Sequence, residues 1–128
     1  MARVRVILAD DHRDFLACTA GMLAPEFDVV ETVADGQALI EAADRLDPDV
    51  LVTDISMPGI SGIEAARVLK AAGSRAKIVV LTVHQDQDFV NAALAAGVDG
   101  YVVKRQLAFD LQHALHEVLA GRNFVSSP

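Results

Sequence analysis

Residues 50 to 62 read Val50-Leu51-Val52-Thr53-Asp54-Ile55-Ser56-Met57-Pro58-Gly59-Ile60-Ser61-Gly62, and the first four of them decide the fold. They are apolar or β-branched on successive positions rather than alternate ones, the pattern of a strand covered on both faces. Four further runs share it: Val4 to Ala9, Phe27 to Val33, Lys77 to Thr82 and Gly100 to Val103. Between the runs, apolar residues recur at helical spacing: Phe15, Cys18 and Met22; Leu39, Ile40, Ala43 and Leu46; Ile63, Ala66, Leu69 and Lys70; Phe89, Ala93 and Ala96; Leu107, Leu111, Ala114, Leu115 and Val118. Five strands alternating with five helices predict an α/β fold, a doubly wound parallel sheet with helices on both faces. From Gly121 to Pro128 the periodicity stops and Gly, Asn, Ser and Pro gather, so residues 1–120 read as the domain and 121–128 as a helix C-cap followed by an exposed tail or the start of a linker.

Composition narrows the function classes. With 128 residues, 52% hydrophobic, the chain has room for one core and not two. Its 11 basic and 18 acidic side chains leave a net charge of −7, which repels a nucleic-acid backbone and argues against DNA contact by this chain alone. The single cysteine, Cys18, cannot form an internal disulfide and is expected to be a small core residue. The aliphatic run near the N-terminus is too short for a signal or membrane helix, so a cytoplasmic protein without a membrane partner is expected.

In an open parallel sheet, ligands bind beyond the carboxyl ends of the strands. The residues that follow or end the predicted strands there are Asp10 and Asp11, Asp54, Thr82 and Lys104. Carboxylates gathered in a partly buried place raise one another's pKa unless a cation joins them. Mg²⁺ suits such a place, because it takes oxygen ligands and keeps waters that a phosphoryl oxygen can replace. A nucleotide or flavin carrier would instead need a glycine-rich first loop, and the Asp10-Asp11-His12 turn has no glycine.

Ala9-Asp10-Asp11-His12, the Thr53 to Gly62 run, Leu81-Thr82-Val83 and Gly100-Tyr101-Val102-Val103-Lys104 together resemble the response-regulator receiver domain of the CheY-like superfamily. The ending Gly121-Arg122-Asn123-Phe124-Val125-Ser126-Ser127-Pro128 is similar to the NarL/FixJ-type subfamily, in which a linker leads to a helix-turn-helix that this chain lacks. The resemblance implies a five-stranded, flavodoxin-like sheet in the order 2-1-3-4-5. It makes Asp54 the phosphoacceptor in two-component signalling, supplied by a sensor histidine kinase in a reaction dependent on Mg²⁺ or Mn²⁺. Asp10, Asp11, Asp54 and the Ser56 backbone carbonyl become the metal ligands, Thr82 and Lys104 the phosphate-sensing catalytic pair, and Thr82 with Tyr101 the switch. Ser56 and His84 occupy positions that tune dephosphorylation. The implied product is a switch that catalyses its own modification, not a conventional enzyme. Homodimerisation on phosphorylation and DNA contact through an output domain outside this chain also follow.

Plainer readings stand beside these roles. Asp10 and Asp11 are good helix caps, Asp54 suits a turn, Thr82 suits a strand, and an isolated lysine such as Lys104 is usually solvated. A lone Tyr101 by default is partly buried with a wet hydroxyl. His113 and His116 lie one helical turn apart but read as a solvated face, and the role of His12 is open. Arg105 and Arg13 depart from the family pattern and add positive charge near the site. Two competing functions remain: an aspartate-nucleophile phosphatase, disfavoured because Ser56 stands where a second acid is needed, and a pseudo-receiver, disfavoured because all five site residues are present.

Overall fold

The computed structural model describes residues 3–126. The five apolar runs become β1 (Arg5–Ala9), β2 (Asp28–Val33), β3 (Val50–Asp54), β4 (Lys77–Thr82) and β5 (Gly100–Val103). The intervening segments become α1 (Arg13–Leu23), α2 (Gly36–Leu46), α3 (Gly62–Ala71), α4 (Gln87–Ala95) and α5 (Leu107–Leu119), with one 3-10 turn at Lys104–Gln106 before the last. All strand pairs are parallel. Among the described residues no helix is long and apolar enough to cross a membrane.

Burial on both faces is visible strand by strand. Ile7, Leu51, Ile78, Val80, Tyr101 and Val103 belong to one core layer with α2, α3 and α4. Their neighbours Val6, Leu8, Val50, Val52, Val79, Leu81 and Val102 belong to the other with α1 and α5. Successive side chains of a strand point to opposite faces, so each run had to be apolar throughout to feed both layers.

Three expectations are corrected. The sheet has six strands, not five, in the order β2-β1-β3-β4-β5-β6, because Phe124–Val125 adds β6 to the edge of β5. Gly121, at φ +86°, ends α5 as expected, and the chain then turns back along the sheet. The Phe124 amide donates to the Asp99 carbonyl (3.1 Å) and the Ser126 amide to the Tyr101 carbonyl (2.8 Å). Residues 124–126 therefore do not form an exposed tail, and Ser126 is buried; Ser127 and Pro128 lie outside the described residues. Cys18 is exposed rather than in the core. The buried positions of α1 are Thr19 and Leu23, with the Thr19 hydroxyl bonded to the Phe15 carbonyl at 2.9 Å. A threonine whose hydroxyl is satisfied by its own helix can face inward, which moves the apolar stripe off Cys18.

Candidate functional site

β1 ends at Ala9, and the chain must turn before α1 begins. Asp10, almost fully buried, makes that turn by accepting the His12 amide at Oδ1 (2.9 Å). His12 is the N-cap residue of α1 and forms no side-chain cap. Neither Asp10 nor Asp11 is thus consumed in capping the helix.

β3 delivers Asp54 as its last residue, 5% exposed. Behind it, the turn bearing Gly59 (φ +74°) leads to Gly62, whose amide donates to the Ile55 carbonyl at 2.8 Å. A β-carbon at Gly62 would collide with the Asp54 carbonyl oxygen and stand 3.2 Å from the Ile55 Cα, so only glycine lets α3 start this close to Asp54. Lys104 follows β5 at the same carboxyl end of the sheet. Its Nζ lies 3.3 Å from Asp10 Oδ2 and 3.4 Å from Asp54 Oδ2, and 4.3 Å above the centre of the Phe15 ring. The ring screens the ammonium from water and holds it over the acids. Phe15 was expected only as a core residue; its position one turn into the helix that follows the acid pair was the available signal.

Burial pushes the Asp54 carboxyl above its ordinary range, Lys104 pulls it down, and the Asp10 charge pushes it up again. One lysine thus does not neutralise the site. One ligand atom from each of Asp10, Asp11, His12 and Asp54 can be chosen so that all lie within 4.8 Å of one another, a donor set that fits a divalent cation. Ser56 is exposed beside it, and its amide hydrogen-bonds Asp54.

Thr82 closes β4 with its hydroxyl buried and accepting from the His84 amide (3.1 Å). Tyr101 is 1% exposed, and its hydroxyl donates to the His84 carbonyl at 2.8 Å, which corrects the expectation of a partly buried ring with a wet hydroxyl. The ring packs in the core layer with Val90 and Ala93 of α4, and β6 pairs along the edge of β5. Burial raises the phenol's pKa; Thr82 lowers it and Asp86 raises it. The His84 ring stacks on Phe89, centroids 4.2 Å apart. His113 pairs with Glu117 and His116 with Glu26, each on its own and more than half exposed, as a solvated face should be. Arg13 and Arg105 are both exposed, and Arg13 lines the open cleft formed with His12, Phe15 and Lys104.

The geometry has counterparts among known proteins. The family model described as "Response regulator receiver domain" matches residues 6–116. The transcriptional regulatory protein DegU of Brevibacillus brevis is 34% identical over 125 residues, covering 96% of this chain and 53% of that protein. The nitrate/nitrite response regulator protein NarL of Escherichia coli K12 is 35% identical over 123 residues, covering 94% of this chain and 57% of that protein. The chain therefore spans little more than half the length of these relatives. The structure of the signal receiver domain of the putative response regulator NarL from Mycobacterium tuberculosis superposes with a TM-score of 0.91 at 27% identity, covering 95% of this chain and all of that one.

Proposed function

The chain belongs to the response regulator receiver domain family, and on that premise we propose that Asp54 takes a phosphoryl group from a phosphohistidine of a sensor histidine kinase. The observation that carries the reading is the Lys104 ammonium lying 3.3 to 3.4 Å from both Asp10 and Asp54, with Asp11 alongside. Phosphoryl transfer asks a protein mainly for in-line placement and charge neutralisation. Asp54 Oδ attacks phosphorus, the P–N bond breaks, and its electron pair stays on the departing imidazole. Asp10, Asp11, Asp54 and the Ser56 carbonyl would hold Mg²⁺ or Mn²⁺, which when bound offsets the carboxylates and the phosphoryl oxygens. Lys104 lowers the Asp54 pKa against the larger upward push of burial, then passes to the new phosphoryl oxygens.

The added group carries a charge of about −1.5 to −2. Thr82, whose hydroxyl accepts from the His84 amide and touches the Tyr101 hydroxyl, turns toward it and alters the packing around Tyr101. The Tyr101–His84 bond links that event to the start of α4. The same residues then catalyse loss of the phosphate, with Ser56 and His84 setting its rate. Output is transcription, through a DNA-binding region not contained in these residues, with dimerisation of the phosphorylated form.

Incubation with acetyl phosphate and Mg²⁺ followed by intact-mass measurement tests the reading. One phosphoryl group on the wild type and none on Asp54→Asn is expected. Equal modification of both would overturn it, steady release of phosphate from varied esters would indicate a phosphatase, and no modification would indicate an inert module.

A further inference from the structure

His12 is the one member of the donor cluster to which the phosphoacceptor reading gives no work. Its Nδ1 lies 3.2 Å from Asp10 Oδ1 and 3.1 Å from Asp11 Oδ1. In an octahedral site, adjacent ligand atoms stand √2 bond lengths apart: about 2.9 Å for Mg²⁺–oxygen bonds and about 3.1 Å for bonds of about 2.2 Å. The contact with Asp10 is a hydrogen bond as it stands, and both spacings are close to those that adjacent ligands on one ion would take, slightly wider than Mg²⁺ prefers.

The ring is held there by backbone. The His12 amide donates to Asp10 Oδ1 (2.9 Å), and the His12 carbonyl accepts from Leu16 as the first bond of α1 (2.9 Å). Lys104 approaches Asp10 at the other oxygen, Oδ2, so ammonium and imidazole use different lone pairs of one carboxylate and need not compete. The His12 side chain is 70% exposed while that of Lys104 is 17% exposed, which places nitrogen donation on the solvent side of the acids, where an ion enters.

We propose that His12 ligates the divalent cation directly through Nδ1 and shifts the site's preference from Mg²⁺ toward first-row transition ions. The chemistry follows from donor type: Mg²⁺ binds oxygen almost exclusively, whereas the later divalent ions gain from an imidazole. The inference rests on the receiver reading only for the location of the ion.

Mn²⁺ is the probe, because it is paramagnetic. Pulsed electron-spin-echo spectroscopy of the Mn²⁺-loaded protein should show modulation from a coordinated imidazole nitrogen, and that modulation should vanish in His12→Gln. Losing even a supporting residue of a metal site typically costs about tenfold or more in affinity. Mn²⁺ affinity of His12→Gln should therefore fall about tenfold or more, while Mg²⁺ affinity, measured by competition, should change less than about twofold. Absence of the nitrogen signal in the wild type, or its persistence in His12→Gln, overturns the proposal, as does an equal loss of affinity for both ions. Asp54→Asn separates this from failure of the functional reading. If Mn²⁺ binding is indifferent to Asp54, the proposed metal-assisted phosphoacceptor site is wrong; if it depends on Asp54 but shows no imidazole, only the role of His12 falls.

Discussion

Tyr101 is the only tyrosine in a chain without tryptophan, so its ionisation can be followed at 295 nm without interference. Burial holds its phenol above the ordinary value of about 10. The folded state keeps the proton longer than the unfolded chain, so this contribution to stability is complete below about pH 10 and is lost as pH rises through the folded value. A phenolate midpoint above that of the urea-unfolded protein is expected, and coincident midpoints would show that the ring is not enclosed. His84 bonds Thr82 through its amide and Tyr101 through its carbonyl, while its ring stacks on Phe89, so the imidazole takes no part in holding either hydroxyl. His84→Ala is expected to change the lifetime of the aspartyl phosphate more than its rate of formation, and equal decay in a radiolabel chase would contradict this. The site acids, Thr82 and Lys104 were legible in the sequence because each directly follows or ends an apolar run. Full burial of Tyr101 and the placement of His12 were not, since both depend on what packs across from them.

Strand β6 changes how β5 is held. The Ser126 hydroxyl donates to Asp110 Oδ2 (2.7 Å) and accepts from the Val103 amide (3.1 Å), while its own amide bonds Tyr101. One serine thus ties β5 to α5 on either side of the residues that lead to Lys104. Ser126→Ala leaves the Val103 amide without a partner, which costs about 1 to 3 kcal/mol when such a group is buried. Urea unfolding should show a loss in that range, and a change within about 0.5 kcal/mol, the usual effect of a surface substitution, would mean that the strand does not anchor the sheet. The five long strands and five helices announce themselves by period and length. A strand of two residues has no period, and only its pairing with Gly100 and Tyr101 defines it. The inward face of α1 was misjudged for a related reason, because counting Thr19 as polar ignores a hydroxyl that its own helix satisfies.

As a whole, the molecule brings Asp10, Asp54 and Lys104 to one rim of the sheet because β1 and β3 are neighbours and β5 lies two strands away across β4. A phosphoryl group at that rim biases two packings rather than building a new one. Coupling of this kind is typically about 1 to 3 kcal/mol, short of the roughly 5.5 kcal/mol needed to move a population from 1:99 to 99:1. The central claim is that the buried Asp54 carboxylate is the group that takes phosphate, and that it does so with a cation held by its neighbours. Reductive trapping tests it most directly: borohydride converts an acyl phosphate of aspartate to homoserine, which peptide sequencing locates. After treatment with acetyl phosphate, homoserine is predicted at position 54 alone and only when divalent cation is present. Homoserine elsewhere, or at position 54 in full yield under chelator, would contradict the account.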